Sequence, residues 1–310
     1  MEKLEKPVLV SIAIPCYEMH GRGVEFLNFS LTKIDQQTYK NIEVIISDHS
    51  QDDGIENLCK QWSKSLNIKY LRCKNKRGNS SANLNNALIN CTGDLIKILF
   101  QDDFLFTGKS IEEIVDVFAK DPQTTWLITA CEHSADGIIF NRPFYPRYND
   151  NIHLGNNTIS SPSVLTIRNK DVLLFDETLI WLMDCDYYKR LHEKFGEPLI
   201  LNKINVVNRT WDSQLSNIMS EELKKKEYDY VKEKYKSIHL ASLPKVEVTE
   251  DAHLLTTLQK DFRNVPVLIR LAEIELERSD HKKAQKYLIA ALAIEPQNVK
   301  AKTLWERLQR

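Results

Sequence analysis

The stretch LIKILFQDDFLF (residues 95–106) joins an apolar, strand-forming run to two adjacent carboxylates. Ile98, Leu99 and Phe100 read as a buried strand, whereas Asp102 and Asp103 repel each other and resist burial. Two readings fit: a polar turn after a strand, or a cation site at the carboxyl edge of a sheet. The sequence on either side sets the fold. Residues 8–14 read as a buried strand closed by Pro15, 42–46 as a second β-branched run, 68–71 as a short third, 95–100 as a fourth and 126–130 as a further one. Between them Val24, Leu27, Leu31 and Ile34, then residues 82–89, then Ile111, Ile114, Val115 and Phe118 follow helical spacing. Strands alternating with helices predict an α/β fold, a doubly wound and mostly parallel sheet with helices on both faces.

A chain of 310 residues has room for one large domain or two smaller ones. Its net charge of −1 argues against a general affinity for nucleic acid or anionic surfaces, although Lys74, Lys76 and Arg77 form a local basic cluster. The six cysteines (16, 59, 73, 91, 131 and 185) include no C-x-x-C pair, which argues against a zinc ribbon or redox motif and for a reducing compartment. The N-terminal MEKLEKP lacks a signal-peptide core, and no apolar run approaches the roughly 20 residues of a membrane span. A cytoplasmic protein is expected, free or peripheral to the inner face of a membrane.

Beyond residue 131 the pattern changes. FNRPFYPRYNDN (140–151) and LGNNTISSPS (154–163) read as long loops of the functional kind. A helix returns near 183–195, and 213–238 is strongly charged and helical. In the tail, Leu268, Leu271, Ala272, Ala284, Leu288, Ala291 and Pro296 occupy the packing positions of one tetratricopeptide-like helix-turn-helix repeat at 265–298, with a capping helix at 299–308 and a further helix at 251–263. A generic helical hairpin is the alternative. The domain expectation is 1–240 for the α/β domain and 245–310 for a small all-α helical-repeat region. A lone repeat leaves a face for self-association or a protein partner.

Three motifs fall at carboxyl ends of strands, where open parallel sheets bind ligands: VSIAIPCYE (10–18), NIEVIISDHSQDD (41–53) and LIKILFQDD (95–103). With SANLNNALINCTGDLIKILFQDD (81–103), SPSVLTIRNKDV (161–172) and WLMDCDYYKRL (181–191), they make the chain resemble the nucleotide-sugar glycosyltransferases of family 2, of GT-A fold, over residues 8–215. No Walker A or G-x-G-x-x-G motif points to a P-loop or dinucleotide enzyme.

The resemblance implies an inverting transfer from a nucleoside-diphosphate sugar, with UDP favoured, to a hydroxyl of a glycan, lipid-linked saccharide or protein. It implies Asp103 as a ligand of Mn2+ or Mg2+, Asp102 as a contact to the ribose or a sharer of the metal, and Asp184 as the base. At the first strand end it places Pro15 and Tyr17, with Tyr17 stacked on the nucleobase. Asp48 would accept a base N–H, and Arg77 and Asn85 would contact base and diphosphate. A solvated Arg77 and a capping Asn85 are the plain alternatives. Asp186 is read as a cap or a partner of Arg190. Three departures from the family pattern stand out: Ser47 and His49 beside Asp48, and Trp211 in NRTWDSQLS (208–216), where many relatives carry His. Trp211 would then stack on a sugar, or the site would be weakened. The rival readings are a catalytically weak sugar-nucleotide-binding protein that recruits partners, and a nucleotidyltransferase, which PCYEMHGRG (15–23) matches poorly.

Overall fold

A computed structural model describes residues 7–140, 142–214, 219–242, 250, 254, 255, 257, 258, 261 and 263–308, with 237–242 described by backbone alone. The chain divides into two compact units, Met1–Tyr235 and Lys236–Arg310.

The first unit is built on one eight-stranded sheet. In chain order its elements are β1 (Val10–Cys16), α1 (Gly23–Asp35), β2 (Ile42–Asp48), α2 (Gly54–Trp62), β3 (Ile68–Arg72), α3 (Ser80–Leu88), β4 (Leu95–Ile98), β5 (Phe104–Leu105), α4 (Ser110–Lys120), β6 (Trp126–Ser134), β7 (Leu165–Arg168), α5 (Met183–Phe195), β8 (Leu199–Arg209) and, as far as Tyr235, α6 (Glu221–Ser242). The strands lie in the order β3-β2-β1-β4-β7-β6-β8-β5. Parallel pairing joins β3, β2, β1 and β4, and also β6 with β8. β7 runs antiparallel to both its neighbours and β5 antiparallel to β8.

Strand alternation sends side chains to two separate cores. Ala13, Ile45, Ile96 and Ile98 face one side, with Leu84 and Leu88 of α3 and Tyr187, Tyr188 and Leu191 of α5. Ile12, Ile14, Val44, Ile46 and Leu95 face the other, with Leu27 and Leu31 of α1, Ile55 of α2 and Ile114 and Phe118 of α4. The sheet is therefore covered by helices on both faces, as the sequence pattern predicts.

Two details differ from expectation. Pro15 does not close the first strand but lies within it, opposite Ser47. The last β1–β4 pair is Ala13 with Ile98, so Pro15 stands past the β4 ladder, where a missing N–H is tolerated. The region after residue 131 also contributes to the sheet, because the short β7 is inserted between β4 and β6.

α6 is tied to α5 by polar contacts. Glu227, buried, accepts the backbone N–H groups of Ile180, Trp181 and Leu182, each at 2.9 Å, where the chain enters α5. Lys234 bridges Asp176 and Asp186 at 2.7 Å each, and the Tyr235 hydroxyl donates to Asp186 at 3.0 Å.

The second unit holds α7 (Val265–Glu277), α8 (His281–Ile294) and α9 (Val299–Leu308). The side chains of Asn264 and Asp280 cap α7 and α8. Leu268, Leu271, Ala272, Ala284, Leu288 and Ala291 are buried, and Pro296 is exposed. Much of the expected helix at 251–263 lies outside the described residues.

Because Glu227 satisfies three backbone donors at once, Glu227→Ala should cost about 3 kcal/mol in denaturant-melt stability. Glu222→Ala, on the exposed side of the same helix, should cost almost nothing.

Candidate active site

The carboxyl ends of β1, β2 and β4 converge with the end of β8. Asp102 and Asp103 occupy the turn after β4, and Arg209, Ser161 and Trp211 hold them. Asp103 Oδ1 accepts the backbone N–H of Arg209 at 2.9 Å, and Oδ2 accepts the Ser161 hydroxyl at 3.1 Å. Asp102 Oδ2 accepts the indole N–H of Trp211 at 3.0 Å, and its carbonyl accepts Arg209 Nε at 3.1 Å. The neighbouring Gln101 joins the turn to the first strand, accepting Tyr17 N–H at 2.9 Å and donating to Gly23 O at 2.8 Å. Gly23 is required there, because a Cβ would stand 2.3 Å from Tyr17 O.

The electrostatics are those of a site short of positive charge. Burial, then the charge of Asp102, pushes the Asp103 carboxyl up to about 7, against the hydrogen bonds of Ser163, Arg209 and Ser161. Burial likewise raises Asp102, while Trp211 and Arg209 pull it down. Arg209 is itself buried, and its guanidinium lies 4.9, 5.1 and 5.3 Å from the rings of Phe26, Phe29 and Phe104. That cage fixes the end of β8 by cation–π contact. Beneath the site the fully buried Lys97 ammonium donates to Ser163 O, and burial lowers it to about 7 against the pull of Asp103.

Asp184 stands in the first turn of α5. Its Oδ1 accepts Cys185 N–H and its Oδ2 accepts Asn157 Nδ2, both at 2.7 Å. Burial pushes its carboxyl up to about 6. Asp186, fully buried, is committed to Arg190 at 2.7 Å and to Lys234, which is the pairing role read from the sequence.

One loop links the two acidic centres. Asn157 holds Asp184 at one end, and Ser161 holds Asp103 four residues later, so at most ~14 Å of chain separates them. Asn157 also accepts the N–H groups of Ile159 and Ser160, and Ser160 takes φ +93°, a strained conformation for serine.

The remaining predicted residues separate into two groups. Pro15 and Tyr17 lie at the end of β1, with Tyr17 39% exposed beside the Asp102 turn. Asp48 ends β2 fully buried, its oxygens accepting Ser50 N–H at 2.8 Å and Tyr70 O–H at 2.7 Å. Next to it, His49 Nε2, Ser50 Oγ and Asn83 Oδ1 are buried without a partner among the described residues. Cys16 O accepts both His49 N–H and Asn83 Nδ2 at 2.9 Å, which brings these two residues together. Arg77 is exposed in the loop before α3. Asn85 is not brought to the site: its amide is consumed by Phe175 N–H at 2.7 Å, Phe175 O at 2.9 Å and Glu177 at 3.1 Å, which pins α3 to the 175–177 segment.

Sequence reasoning missed Asn157, Ser161 and Arg209. The first two sit in the loop LGNNTISSPS, whose length alone marked it. Arg209 adjoins Trp211, which attracted notice only as a departure. Among the described residues no group of three or more His, Cys, Asp or Glu side chains converges on one point. No helix among them is long and apolar enough to cross a membrane.

Comparison with known proteins gives this constellation its class. Residues 11–190 match the family model described as Glycosyl transferase family 2, and the chain belongs to that family. It is 24% identical over 237 residues to an uncharacterized glycosyltransferase of Rickettsia typhi, covering 71% of this chain and 69% of the relative. It is also 28% identical over 100 residues to a GalNAc(5)-diNAcBac-PP-undecaprenol beta-1,3-glucosyltransferase of Campylobacter jejuni, covering 32% of this chain and 31% of that enzyme. Among solved structures, S. aureus TarS 1-349 in complex with UDP-GlcNAc superposes with a TM-score of 0.56 at 14% identity, covering 97% of this chain and 91% of that one. A mannosyltransferase from Pyrobaculum calidifontis in complex with GDP-Man and Mn2+ has a TM-score of 0.51 at 14% identity, covering 95% and 92%. At such identities the likeness establishes the GT-A-like fold.

The raised carboxyls have a consequence for stability. An acid whose folded pKa exceeds its unfolded value of about 4 holds its proton better in the native state, so native stability falls as pH rises. In the ligand-free protein, Asp184 and Asp103 should together lower the melting temperature between about pH 4 and about pH 7. The slope should flatten in a variant carrying both Asp103→Asn and Asp184→Asn, as measured by thermal unfolding across pH.

Proposed function

We propose that this protein is an inverting glycosyltransferase that moves a sugar from a nucleoside-diphosphate donor, UDP favoured, to an acceptor hydroxyl, with Asp184 as the base. The observation that supports the reading is the loop 157–161, which bonds Asp184 through Asn157 and Asp103 through Ser161. In the reaction, the acceptor oxygen bonds the anomeric carbon, and the bond from that carbon to the diphosphate oxygen breaks. The diphosphate keeps the electron pair, and the acceptor proton passes to Asp184. A carboxyl raised to about 6 is ionised at neutral pH yet basic enough to take that proton.

The residues fit a hard divalent cation such as Mn2+ or Mg2+. Such ions are held by one or two carboxylates completed by phosphate oxygens and water, not by an all-protein cage. Asp103 is held by neutral donors and retains lone pairs for a ligand. Asp102 would share the ion or contact the ribose. When bound, the cation stabilises the charge of the leaving diphosphate. Trp211 cannot ligate metal, and its indole instead holds Asp102 in place, which favours an intact site over a weakened one.

For the base of the donor, Tyr17 offers an exposed ring, and the unpartnered atoms of His49, Ser50 and Asn83 offer polar contacts. Asp48 orders this turn through Ser50 and Tyr70, and Arg77 is exposed nearby for the diphosphate. The acceptor is read as a glycan, lipid-linked saccharide or protein.

Two substitutions test the chemistry. Asp184→Asn should lower kcat at least about 100-fold while donor affinity stays near that of the parent. In the parent, kcat/KM at saturating Mn2+ should fall as pH drops through about 6, where the base gains its proton. Asp103→Ala should remove Mn2+ binding, read by electron paramagnetic resonance, together with donor turnover. Turnover that survives either substitution, or that persists in excess chelator, would sink the corresponding assignment.

For the C-terminal helices we infer a recruiting role, since Ile289, Ile294 and Val299 are exposed on them. A chain ending at Ser242 should keep slow donor hydrolysis and lose self-association or partner capture in light-scattering measurements. Insolubility or loss of donor binding in that shorter chain would overturn the inference.

A further inference from the structure

Lys97 stands beneath the acidic turn, in a place where packing alone calls for an apolar residue. It lies in β4 between Ile96 and Ile98, in register with Ile12 of β1 on one side and Thr166 of β7 on the other. Its side chain is fully buried, a state that lysine rarely reaches without a counter-ion. Its hydrogen bond goes instead to a neutral acceptor, the carbonyl of Ser163. Burying an ammonium against a neutral partner lowers stability, so the position asks for a functional reason.

That carbonyl belongs to a turn, residues 161–163, whose donors converge on Asp103. Ser161 Oγ donates to Asp103 Oδ2 at 3.1 Å, and the Ser163 hydroxyl is a further donor to the same carboxylate. Ser163 N–H bonds Ser161 Oγ at 3.3 Å, and Ser163 Oγ accepts Phe100 N–H at 2.8 Å. Ser163 is thus fastened to the β4 segment at two points, by Lys97 at its carbonyl and by Phe100 at its hydroxyl. Both hydroxyls that meet Asp103 take their places from it. The electrostatics agree with the geometry. Burial opposes the charge on Lys97, and of the groups that favour that charge Asp103 acts most strongly. The attraction is mutual.

We infer that Lys97 is a positioning residue for the acidic turn: from inside the sheet it holds the 161–163 turn against Asp103 and so fixes the direction of that carboxylate. It touches neither substrate nor ion and acts through Ser163 and Ser161. In the glycosyltransferase reading, on which this role rests, the direction of Asp103 decides how its remaining lone pairs meet a hard cation. A lysine suits the task because its long stem reaches from the middle of β4 to the turn beyond the strand end.

The test compares the parent with two full-length variants. Lys97→Met keeps the length of the side chain and loses its donor, whereas Ile96→Ala is a packing change in the same strand. Hydrogen exchange without metal reads the turn directly. The amides of Phe100 and Arg209, which bond Ser163 Oγ and Asp103 Oδ1, should exchange faster in Lys97→Met than in Ile96→Ala. Mn2+ affinity, read by electron paramagnetic resonance without donor, should fall at least ~10-fold in Lys97→Met, the scale on which groups that orient metal ligands act. Ile96→Ala should melt at a lower temperature and keep the parent's Mn2+ affinity. Parent-like Mn2+ affinity in Lys97→Met would overturn the inference, even with faster exchange, and would leave the glycosyltransferase reading standing. So would an equal loss in Ile96→Ala. A parent that binds no Mn2+ would instead sink the metal assignment, and parent-like exchange in Lys97→Met would then overturn the positioning role as well. Should Lys97→Met not fold, Ser163→Ala removes the hydroxyl between Lys97 and Asp103 and keeps the carbonyl. It must then weaken Mn2+ binding to the same extent, and parent-like binding there would overturn the inference.

Discussion

The structure depends on keeping two adjacent carboxylates, Asp102 and Asp103, at the edge of a buried sheet. Unaided, that turn would be expelled to solvent or neutralised by protonation. Backbone N–H and side-chain donors from β8, the loop 157–161 and Trp211 hold it instead. None of these groups supplies a full positive charge directly to Asp103, and its carboxyl accordingly sits near 7. Such a turn stores unfavourable electrostatics in the ligand-free fold.

The second centre is positioned by different means. Asp184 occupies a helix N-terminus, and the approach to that helix is fastened by Glu227, a carboxylate from α6 bonded to three successive backbone donors. Asp186, two residues on, is saturated by Lys234 and Arg190 and anchors the same helix from its other side. The two acids of one turn are thus separated by their partners: Asp186 is bound by cations, and Asp184 by neutral donors. Asn157 then ties the helix to the loop that reaches Asp103, so one loop sets the spacing of both centres.

Trp211 illustrates how a local departure can keep a global arrangement. Its indole N–H reaches Asp102, and its ring stands edge-on to Phe26 at 5.5 Å, within the aromatic cage that also holds Arg209. Asp102 thereby gains an orienting donor.

Much of this was legible before any coordinates. The alternation of buried runs with helical spacing determined the layered sheet, because burial on both faces demands continuous apolar strands and amphipathic helices. The three strand ends, with Tyr17, Asp48, Asp102 and Asp103, followed from local pattern, whereas Asp184 was singled out only through the family resemblance. Asn85 spends its amide on Phe175 and Glu177, a pairing that helical position alone does not reveal, since it says nothing about which segment packs across it. Asn157, Ser161 and Arg209 stayed invisible for a related reason. Each acts through contacts made 27 to 106 residues away in the chain. The sequence by itself determined which side chains carry charge and which strands they terminate, since both are properties of neighbouring residues. Only the tertiary structure decided which of those charges are neutralised, because that depends on donors brought in by distant segments.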